Sequence, residues 1–180
     1  MLINKSNFFV FKTTINTKMN YLKNRKIKLL IYSFYIVLID QISKFTVLNT
    51  LGFKKSKAII PNLLDFNLVK NKGAAFSLFS NSTTLLTIIS VIASSLLIAL
   101  ILKSKKISYW NSIGLIYLLG GTIGNGIDRL LKGYVLDFLE IVAINFPIFN
   151  VADISINIAI ICFTIDVFIE KTSIKKSLRK

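Results

Sequence analysis

Residues 84–102 read TLLTIISVIASSLLIALIL and residues 107–127 read ISYWNSIGLIYLLGGTIGNGI, two charge-free stretches with a short basic link between them. Each stretch has roughly the 20 apolar residues that a helix needs to cross the hydrocarbon core of a bilayer. The two stretches therefore predict a pair of transmembrane helices, which indicates a membrane protein.

Two weaker apolar runs lie on either side of this pair. Residues 29–48 carry one acid–base pair, and residues 151–169 carry an aspartate near each end. Hydrophobic residues make up 53% of the chain and charged ones 17%, against about 25% charged in soluble domains. This composition argues against a soluble globule and against a disordered chain. We predict a membrane all-α fold with a small β element, in one domain over residues 27–172, with four spans at 29–48, 84–102, 107–127 and 151–169.

Basic residues are concentrated in three parts of the chain. The tail through Lys28 has seven, the link 103–106 has three and the tail after Ile169 has five, together 15 of the 23 basic residues, and these parts contain one acid, Glu170. Because cytoplasmic loops carry the excess of Lys and Arg, both tails and the link are predicted to be cytoplasmic. The net charge of +15 is then a signal of topology and gives no support to nucleic-acid binding.

The two basic tails, 1–26 and 173–180, are predicted to lie outside the membrane domain. The longest apolar run of the first tail, Phe8 to Phe11, is too short for a cleaved signal peptide. Met19 offers a second start, so we expect residues 1–18 to be dispensable, which N-terminal sequencing of the native protein would test.

Two segments, 49–83 and 128–150, join the spans on the outer side, and both have the pattern of strands. Residues 58–60 and 64–69 are apolar or alternating and are separated by turn residues, and residues 133–140 form a further run of this kind. These segments predict a small sheet at the membrane surface.

The chain has no histidine and one cysteine, Cys162. This composition excludes histidine-dependent nucleophile systems, zinc sites with histidine ligands, cysteine-rich metal clusters and an intrachain disulfide. Any catalysis must therefore rely on carboxylates, lysines, hydroxyls or backbone groups, and we predict no metal and no cofactor. Cys162, in the middle of the fourth predicted span, is interpreted as a small packing residue.

Two outer aspartates, Asp137 and Asp153, have no lysine or arginine within four residues and lie among apolar neighbours. An unpaired carboxylate in such surroundings is pushed toward its neutral form, and two that meet can share one proton. Such a pair suits peptide hydrolysis, since the ionised member takes a proton from water while the protonated member polarises the carbonyl. The structural alternatives are a helix cap for Asp153 and a solvent-facing charge at a strand edge for Asp137.

Other outer acids have partners close in sequence. Lys44 is four residues after Asp40, which favours an ion pair on one helix face, and Asp128 has a lysine at the same spacing. The polar residues Asn125 and Arg129 end a span that otherwise has no charge. Arg129 is a candidate for steadying a substrate carbonyl.

Several stretches resemble the motifs of the lipoprotein signal peptidases (signal peptidase II), bacterial inner-membrane aspartic peptidases that remove the signal peptide from prolipoproteins. The stretches are Asp40-Gln41-Ile42-Ser43-Lys44, Asn71-Lys72-Gly73-Ala74-Ala75-Phe76-Ser77, Gly120-Gly121-Thr122-Ile123-Gly124-Asn125 with Asp128-Arg129, Gly133-Tyr134-Val135-Leu136-Asp137-Phe138, and Phe146-Pro147-Ile148-Phe149-Asn150-Val151-Ala152-Asp153. Each motif alone is weak, but all of them occur in order over the predicted spans. The resemblance covers roughly residues 22–172.

The resemblance implies a fold of four transmembrane helices with a small extracytoplasmic β-cradle that receives the lipidated substrate. It implies that Asp137 and Asp153 form the catalytic dyad. It also implies that seven further residues line or stabilise the substrate site: Asp40, Lys44, Asn71, Gly73, Asn125, Arg129 and Asn150. The stretch between Leu139 and Phe146 is short and lacks tryptophan, which predicts a smaller lid over the site.

We therefore expect an intramembrane aspartic endopeptidase that cleaves before the diacylglyceryl-modified cysteine of a prolipoprotein, at the outer face of the bacterial cytoplasmic membrane. Its partners would be lipidated prolipoproteins and membrane lipid, and it would act as a monomer. Three other functions stay open: a small transport or proton-translocating protein, a Ser-Lys hydrolase using Ser43 and Lys44, and a non-enzymatic scaffold. Adjacent residues point away from one another on a helix, which argues against the Ser-Lys hydrolase.

Overall fold

The computed structural model describes residues 5–53, 56–73, 82–144 and 146–177. It is mostly helical with a small antiparallel sheet, as predicted. The helices are α1 (Lys5–Thr50), α2 (Thr83–Lys103), α3 (Tyr109–Lys132) and α4 (Val151–Ser177), and the strands are β1 (Ser56–Ile60), β2 (Leu64–Asn71) and β3 (Val135–Ile141), with a 3-10 turn at Val142–Ile144 after β3. Residues 74–77 of the second quoted motif and residues 1–4 of the first tail lie outside the described residues.

The first helix begins much earlier than the predicted span at 29–48. α1 starts at Lys5, so much of the predicted polar tail is helical. No glycine or proline occurs before Gly52 to interrupt the backbone hydrogen bonds. Polar composition keeps this part of the chain out of a predicted membrane span, but it does not prevent a helix.

Three helical segments of the described chain are long and apolar enough to cross a membrane, namely Lys23–Thr50, Thr83–Lys103 and Val151–Thr172. α3 has 24 residues but is less apolar, because glycine, serine, asparagine and aspartate occupy its buried face. α3 packs against α1, α2 and α4 and so forms the centre of the bundle. A helix enclosed by other helices needs fewer apolar side chains than one that faces lipid, and small residues favour its close packing.

Glycines let two helices approach the outer end of α3. A Cβ at Gly120 would lie 3.0 Å from a backbone oxygen of α1, and a Cβ at Gly124 would lie 2.7 Å from a carboxylate oxygen of Asp40 on the same helix. On the other side, a Cβ at Gly121 would lie 2.6 Å from the carbonyl oxygen of Ala152, in the first turn of α4. The helices that carry Asp40 and Asp153 therefore both contact the end of α3 that carries Asn125 and Arg129.

The sheet has the order β1-β2-β3, and both strand pairs are antiparallel. One face of β3 buries Leu136 and Phe138 against Leu68 of β2 and Val47 of α1. Because side chains alternate along a strand, Asp137 lies on the opposite face. A register shift in the pairing of β2 with β3 sets Val69 opposite Asp137.

A tight connection joins α3 to β3. Gly133 has a φ of +74°, a left-handed conformation that glycine adopts without strain, and its N–H donates to the carbonyl of Arg129 at 3.1 Å. The N–H of Leu136 donates to Oδ2 of Asp128 at 3.2 Å. The end of α3 is thereby bound directly to the strand that carries Asp137.

Candidate active site

Asp137 is almost completely buried, with 2% of its surface exposed. Nδ2 of Asn71, at the end of β2, donates to its Oδ2 at 2.8 Å, and Nδ2 of Asn150 donates to its Oδ1 at 2.5 Å. Among the described residues no lysine or arginine nitrogen lies within 4 Å of this carboxylate. The alternative of a strand-edge charge facing water does not fit a side chain buried in this way.

The surroundings of Asp137 change its acidity. Burial, followed by the charge of nearby Asp153, raises the pKa of Asp137 to about 6, although the hydrogen bonds from Asn71 and Asn150 act in the opposite direction. This pKa lies closer to neutral pH than that of a free aspartate, which is favourable for general acid–base catalysis.

Asp153 lies in the first turn of α4, where it forms a reciprocal cap with Asn150. The N–H of Asp153 donates to Oδ1 of Asn150 at 3.0 Å, and the N–H of Asn150 donates to Oδ2 of Asp153 at 3.1 Å. This exchange has the form of a capping box. Nδ2 of Asn125 donates to the remaining oxygen, Oδ1, at 2.8 Å. The helix-cap interpretation of Asp153 is thus correct, and the same side chain also lines a cavity that it shares with Asp137.

Asn150 connects the two aspartates. It is fully buried, and its side-chain nitrogen donates to Asp137 while its side-chain oxygen accepts from Asp153. The same nitrogen also lies 3.0 Å from Oδ1 of Asn125. One amide therefore fixes the position of Asp137 on β3 relative to Asp153 on α4.

Four charged side chains form a network behind this amide cluster. Nζ of Lys44 lies 2.8 Å from Oδ2 of Asp40 and 3.0 Å from Oδ2 of Asp128, and Nζ of Lys132 lies 2.8 Å from the other oxygen of Asp128. Asp40, Lys44 and Asp128 are completely buried. The sequence indicates two separate pairs at i, i+4 spacing, and the structure joins them through Lys44.

The network holds the start of α4 in place. Nζ of Lys44 donates to Oδ1 of Asn125 at 3.0 Å, which orients this amide so that its nitrogen faces Asp153. Oδ1 of Asp40 accepts from the N–H of Ala152 at 2.9 Å, and a negative charge at a helix N-terminus is favoured by the helix dipole. Both contacts position Asp153.

A cavity of about 1250 Å³ opens in front of the two aspartates. The predicted site residues that line it are Asn71, Gly73, Asn125, Arg129, Asp137 and Asp153. Asp40, Lys44 and Asn150 do not line it, because they are buried behind the cavity wall. The nine residues thus form two groups, one that can touch a ligand and one that positions the first.

Arg129 is one of three basic residues that line the cavity, together with Lys70 and Lys72. Its Nη2 lies 3.5 Å from the carbonyl oxygen of Gly73, and within the described ranges no carboxylate oxygen lies within 4 Å of it. The N–H of Gly73 in turn donates to Oδ1 of Asn71 at 2.9 Å. The guanidinium is therefore available to a ligand.

Sequence reasoning missed two members of the cluster. It pairs Asp128 only with the lysine four residues later, whereas this side chain is buried between two lysines and belongs to the network behind the site. It gives no role to Gln41, whose Nε2 donates to Asp40 and to the carbonyl of Gly124, each at 3.1 Å. Both residues lie within the quoted motifs, and this position in a motif is the feature of the sequence that could have identified them.

The hydroxyl of Ser43 and the ammonium of Lys44 are engaged elsewhere. Oγ of Ser43 donates to the carbonyl of Asp40 at 2.7 Å, and Lys44 lies between two carboxylates. This arrangement does not support a Ser-Lys nucleophile. Among the residues with described positions, no group of three or more Asp, Glu, Cys or His side chains has the arrangement of metal ligands.

The sequence model of the family described as Signal peptidase (SPase) II matches residues 32–169. The chain is 42% identical to the lipoprotein signal peptidase of Parasynechococcus marenigrum (strain WH8102) over an alignment of 138 residues. This alignment covers 77% of the present chain and 87% of the relative. It is 37% identical to the lipoprotein signal peptidase of Streptococcus agalactiae serotype V (strain ATCC BAA-611 / 2603 V/R) over an alignment of 149 residues. This second alignment covers 83% of the present chain and 97% of the relative.

The fold is also similar to a solved structure. A bacterial membrane enzyme determined by the in meso method at 2.3 Å resolution superposes with a TM-score of 0.75 and 29% sequence identity, over 81% of this chain and 90% of that one. The apolar helices of the described chain agree with a membrane location. By sequence and by fold, the chain belongs to the signal peptidase II family of membrane proteases.

Proposed function

We propose that this protein is an intramembrane aspartic endopeptidase that removes signal peptides from diacylglyceryl-modified prolipoproteins by cleaving before the lipidated cysteine. Family membership and the names of the relatives support signal-peptide cleavage as the reaction. The aspartic mechanism is supported mainly by the pair Asp137 and Asp153. Both carboxylates accept a hydrogen bond from Asn150, and both residues line one cavity.

In the proposed reaction the two aspartates hold one proton between them. The ionised carboxylate removes a proton from a water molecule, whose oxygen attacks the scissile carbonyl while the protonated carboxyl donates to the carbonyl oxygen. The C–N bond then breaks as the nitrogen of the cysteine takes up a proton from the pair, and one hydroxyl of the tetrahedral intermediate returns a proton to the pair, which again holds one. No acyl-enzyme and no metal take part, and the coupled pair titrates with two macroscopic pKa values.

The other site residues bind the peptide or position the dyad. Arg129 steadies the substrate carbonyl as negative charge develops on its oxygen, and Asn71 and Gly73 line the cavity beside Asp137. Asn125, at the cavity wall, and Asn150, behind it, position the dyad by direct hydrogen bonds. Asp40 accepts from the N–H of Ala152 at the start of α4, and Lys44 acts through its hydrogen bond to Asn125.

We also propose four membrane spans. β2 precedes α2 and β3 follows α3, and the two strands are paired in one sheet. If α2 crosses the membrane, the chain must cross back before β3, and α3 is the helix between them. The lower hydropathy of α3 is consistent with this role, because its polar face packs against other helices.

In this arrangement the sheet forms an extracytoplasmic β-cradle beside the cavity, at the outer face of the bacterial cytoplasmic membrane. Residues 27–172 form the membrane domain, and the basic tails 1–26 and 173–180 lie in the cytoplasm, in accord with the positive-inside rule. The protein acts as a monomer on lipidated prolipoproteins within the lipid bilayer.

The interior of the bundle argues against a proton-translocating function. Asp166, about 20 Å beyond Asp153 along α4, accepts hydrogen bonds from Ser108 and Asn111, each at 2.6 Å. Between this cluster and the outer site lies an apolar core formed by Leu29, Ile101, Leu115 and Leu119. A proton path would need polar groups across the depth of the membrane.

A cleavage assay tests the proposal. The purified protein in detergent is given a lipidated prolipoprotein, beside the variants Asp137→Asn, Asp153→Asn and Ser43→Ala. We expect either aspartate variant to lose cleavage and the serine variant to keep it. Full cleavage by an aspartate variant would contradict the dyad, and loss of cleavage in Ser43→Ala with Lys44 intact would favour a serine nucleophile.

A further inference from the structure

One amide side chain lies deeper in the cavity than the two aspartates and makes no hydrogen bond to either of their carboxylates. Asn157 is on α4, four residues after Asp153, and lines the same cavity. Since a helix rises about 1.5 Å per residue, Asn157 lies about 6 Å further along α4, toward the middle of the bundle. Its side chain is exposed, in a segment apolar enough to cross a membrane.

Asn157 uses its donor but not its acceptor. Its Nδ2 donates to the carbonyl of Asp153 at 3.0 Å, and nothing in the described part of the chain donates to its Oδ1. Two hydroxyl side chains of the same helix, Ser155 and Thr164, each donate to the carbonyl four residues earlier. A carboxamide oxygen without a partner is costly in hydrocarbon, and packing does not account for its presence here.

On α4 the cavity wall beside Asn157 is apolar, formed by Ile154, Ile158 and Ile161, and the hydroxyl residues Ser90 and Thr122 line the cavity from α2 and α3. Such a wall suits an apolar peptide and displaces water from it. A peptide N–H that enters loses its hydrogen bond to water and needs an acceptor from the protein. Oδ1 of Asn157, with two lone pairs, is such an acceptor.

We propose that Asn157 is a substrate-positioning residue whose side-chain oxygen accepts the backbone N–H of the residue two before the lipidated cysteine. An extended peptide advances about 3.4 Å per residue. With the scissile carbonyl at the aspartates and the signal peptide running into the membrane, that N–H lies about 6 Å deeper, level with Asn157. This inference rests on the proposed function and names one group of the substrate that the cavity recognises.

Three synthetic diacylglyceryl peptides test it in detergent. One is unmodified, one is N-methylated at the residue two before the cysteine, and one is N-methylated five residues before it. Each is given to the wild type and to Asn157→Leu, and to Thr164→Val as a matched polar-to-apolar change on α4 away from the cavity lining. Because Asn157 is exposed, we expect Asn157→Leu to fold, and thermal unfolding in detergent checks this.

We expect Asn157→Leu to lower kcat/KM for the unmodified peptide about tenfold, the effect of leaving one hydrogen-bonding group unpaired. Methylation two residues before the cysteine should lower the kcat/KM of the wild type by a similar factor. It should not lower the kcat/KM of Asn157→Leu any further. Methylation five residues before it should affect all three proteins equally, and Asn157→Gln should recover part of the loss.

Two results would overturn the inference while leaving the proposed function intact. In the first, Asn157→Leu cleaves the unmodified peptide with the wild-type kcat/KM. In the second, methylation two residues before the cysteine lowers kcat/KM by the same factor in Asn157→Leu as in the wild type, so that the two losses multiply. If the wild type fails to cleave the unmodified peptide, the proposed function is wrong and the inference is wrong with it.

Discussion

Asn71 and Asn150 each donate a hydrogen bond to Asp137, and both bonds favour the ionised carboxylate. Asn71→Ala removes one of them, so the pKa of Asp137 should rise further. Since the proposed reaction needs one proton on the pair, the alkaline limb of kcat/KM should move to higher pH. A bond worth about 1 kcal/mol corresponds to roughly 0.7 pH unit.

Asn67→Ala is the matched control for this experiment. Asn67 lies on the same strand, and its Nδ2 donates to Glu140 rather than to Asp137, at 2.8 Å. Its replacement should leave the alkaline limb in place. A limb that stays fixed or moves to lower pH in Asn71→Ala would show that Asn71 does not control the acidity of the site.

Asp137 should also make the stability of the fold depend on pH. The pKa of about 6 in the folded protein lies above the usual value of 3.8. The folded state therefore binds more protons between these values, and the free energy of unfolding falls as the pH rises through this window. Between pH 5 and 7.5 the decrease due to Asp137 should be about 1.4 kcal/mol.

Denaturant unfolding in detergent at several pH values measures this decrease. In Asp137→Asn, which cannot ionise at position 137, the corresponding part of the pH dependence should disappear. If the two proteins lose the same free energy of unfolding between pH 5 and 7.5, the buried carboxylate is not the group that titrates.

At the level of helices, Lys44 joins α1 to α3 by its contact with Asp128, and it also pairs with Asp40 on its own helix. Its side chain is 1% exposed. Lys44→Met would leave both acids without the cation they share. Removing one partner from a buried ion pair costs about 3–5 kcal/mol, and we expect a loss of unfolding free energy of this size. Cleavage should fall as well, because Lys44 orients Asn125.

Lys132→Met provides the comparison. Lys132 contacts the other oxygen of Asp128, but its side chain is 31% exposed, so solvent weakens the interaction. Its loss should cost about 1 kcal/mol or less. Chemical denaturation of both variants in the same detergent decides the matter, and equal losses would mean that burial of Lys44 does not strengthen the network.

The same network shows how far the sequence predicts the site. The i, i+4 spacing of Lys44 after Asp40 predicts their pairing, because it depends on one helix alone. The contact of Lys44 with Asp128 depends on how closely α1 and α3 approach, which Gly120 and Gly124 permit but do not specify. Long-range contacts of this kind require the packed structure.

The elements themselves follow closely from local patterns. The four apolar runs correspond to the four helices, and the alternating segments correspond to the three strands. Two features differ, the start of α1 at Lys5 and the low hydropathy of α3. Both differences have one cause, because hydropathy indicates only how well a segment suits a lipid environment. Polar segments can also form helices, and a helix buried among other helices can carry polar side chains.

For the molecule as a whole, the charge distribution and the strand pairing make one joint prediction about orientation. The charge pattern predicts the link 103–106 in the cytoplasm, and the paired strands require both ends of the α2–α3 hairpin to lie on the other side. Single cysteines report these sides. Ser56 begins β1, Ala143 lies just after β3, and Ser104 lies in the link.

In intact spheroplasts a membrane-impermeant maleimide should label Ser56→Cys and Ala143→Cys, and it should label Ser104→Cys only after the membrane is permeabilised. The native Cys162 is buried. Labelling of the protein without an added cysteine therefore measures the background from Cys162. Labelling of Ala143→Cys is the critical result, because it requires α3 to return the chain across the membrane. If Ala143→Cys behaves like Ser104→Cys, α3 does not span the bilayer and the strand pairing of β2 with β3 cannot exist in the membrane.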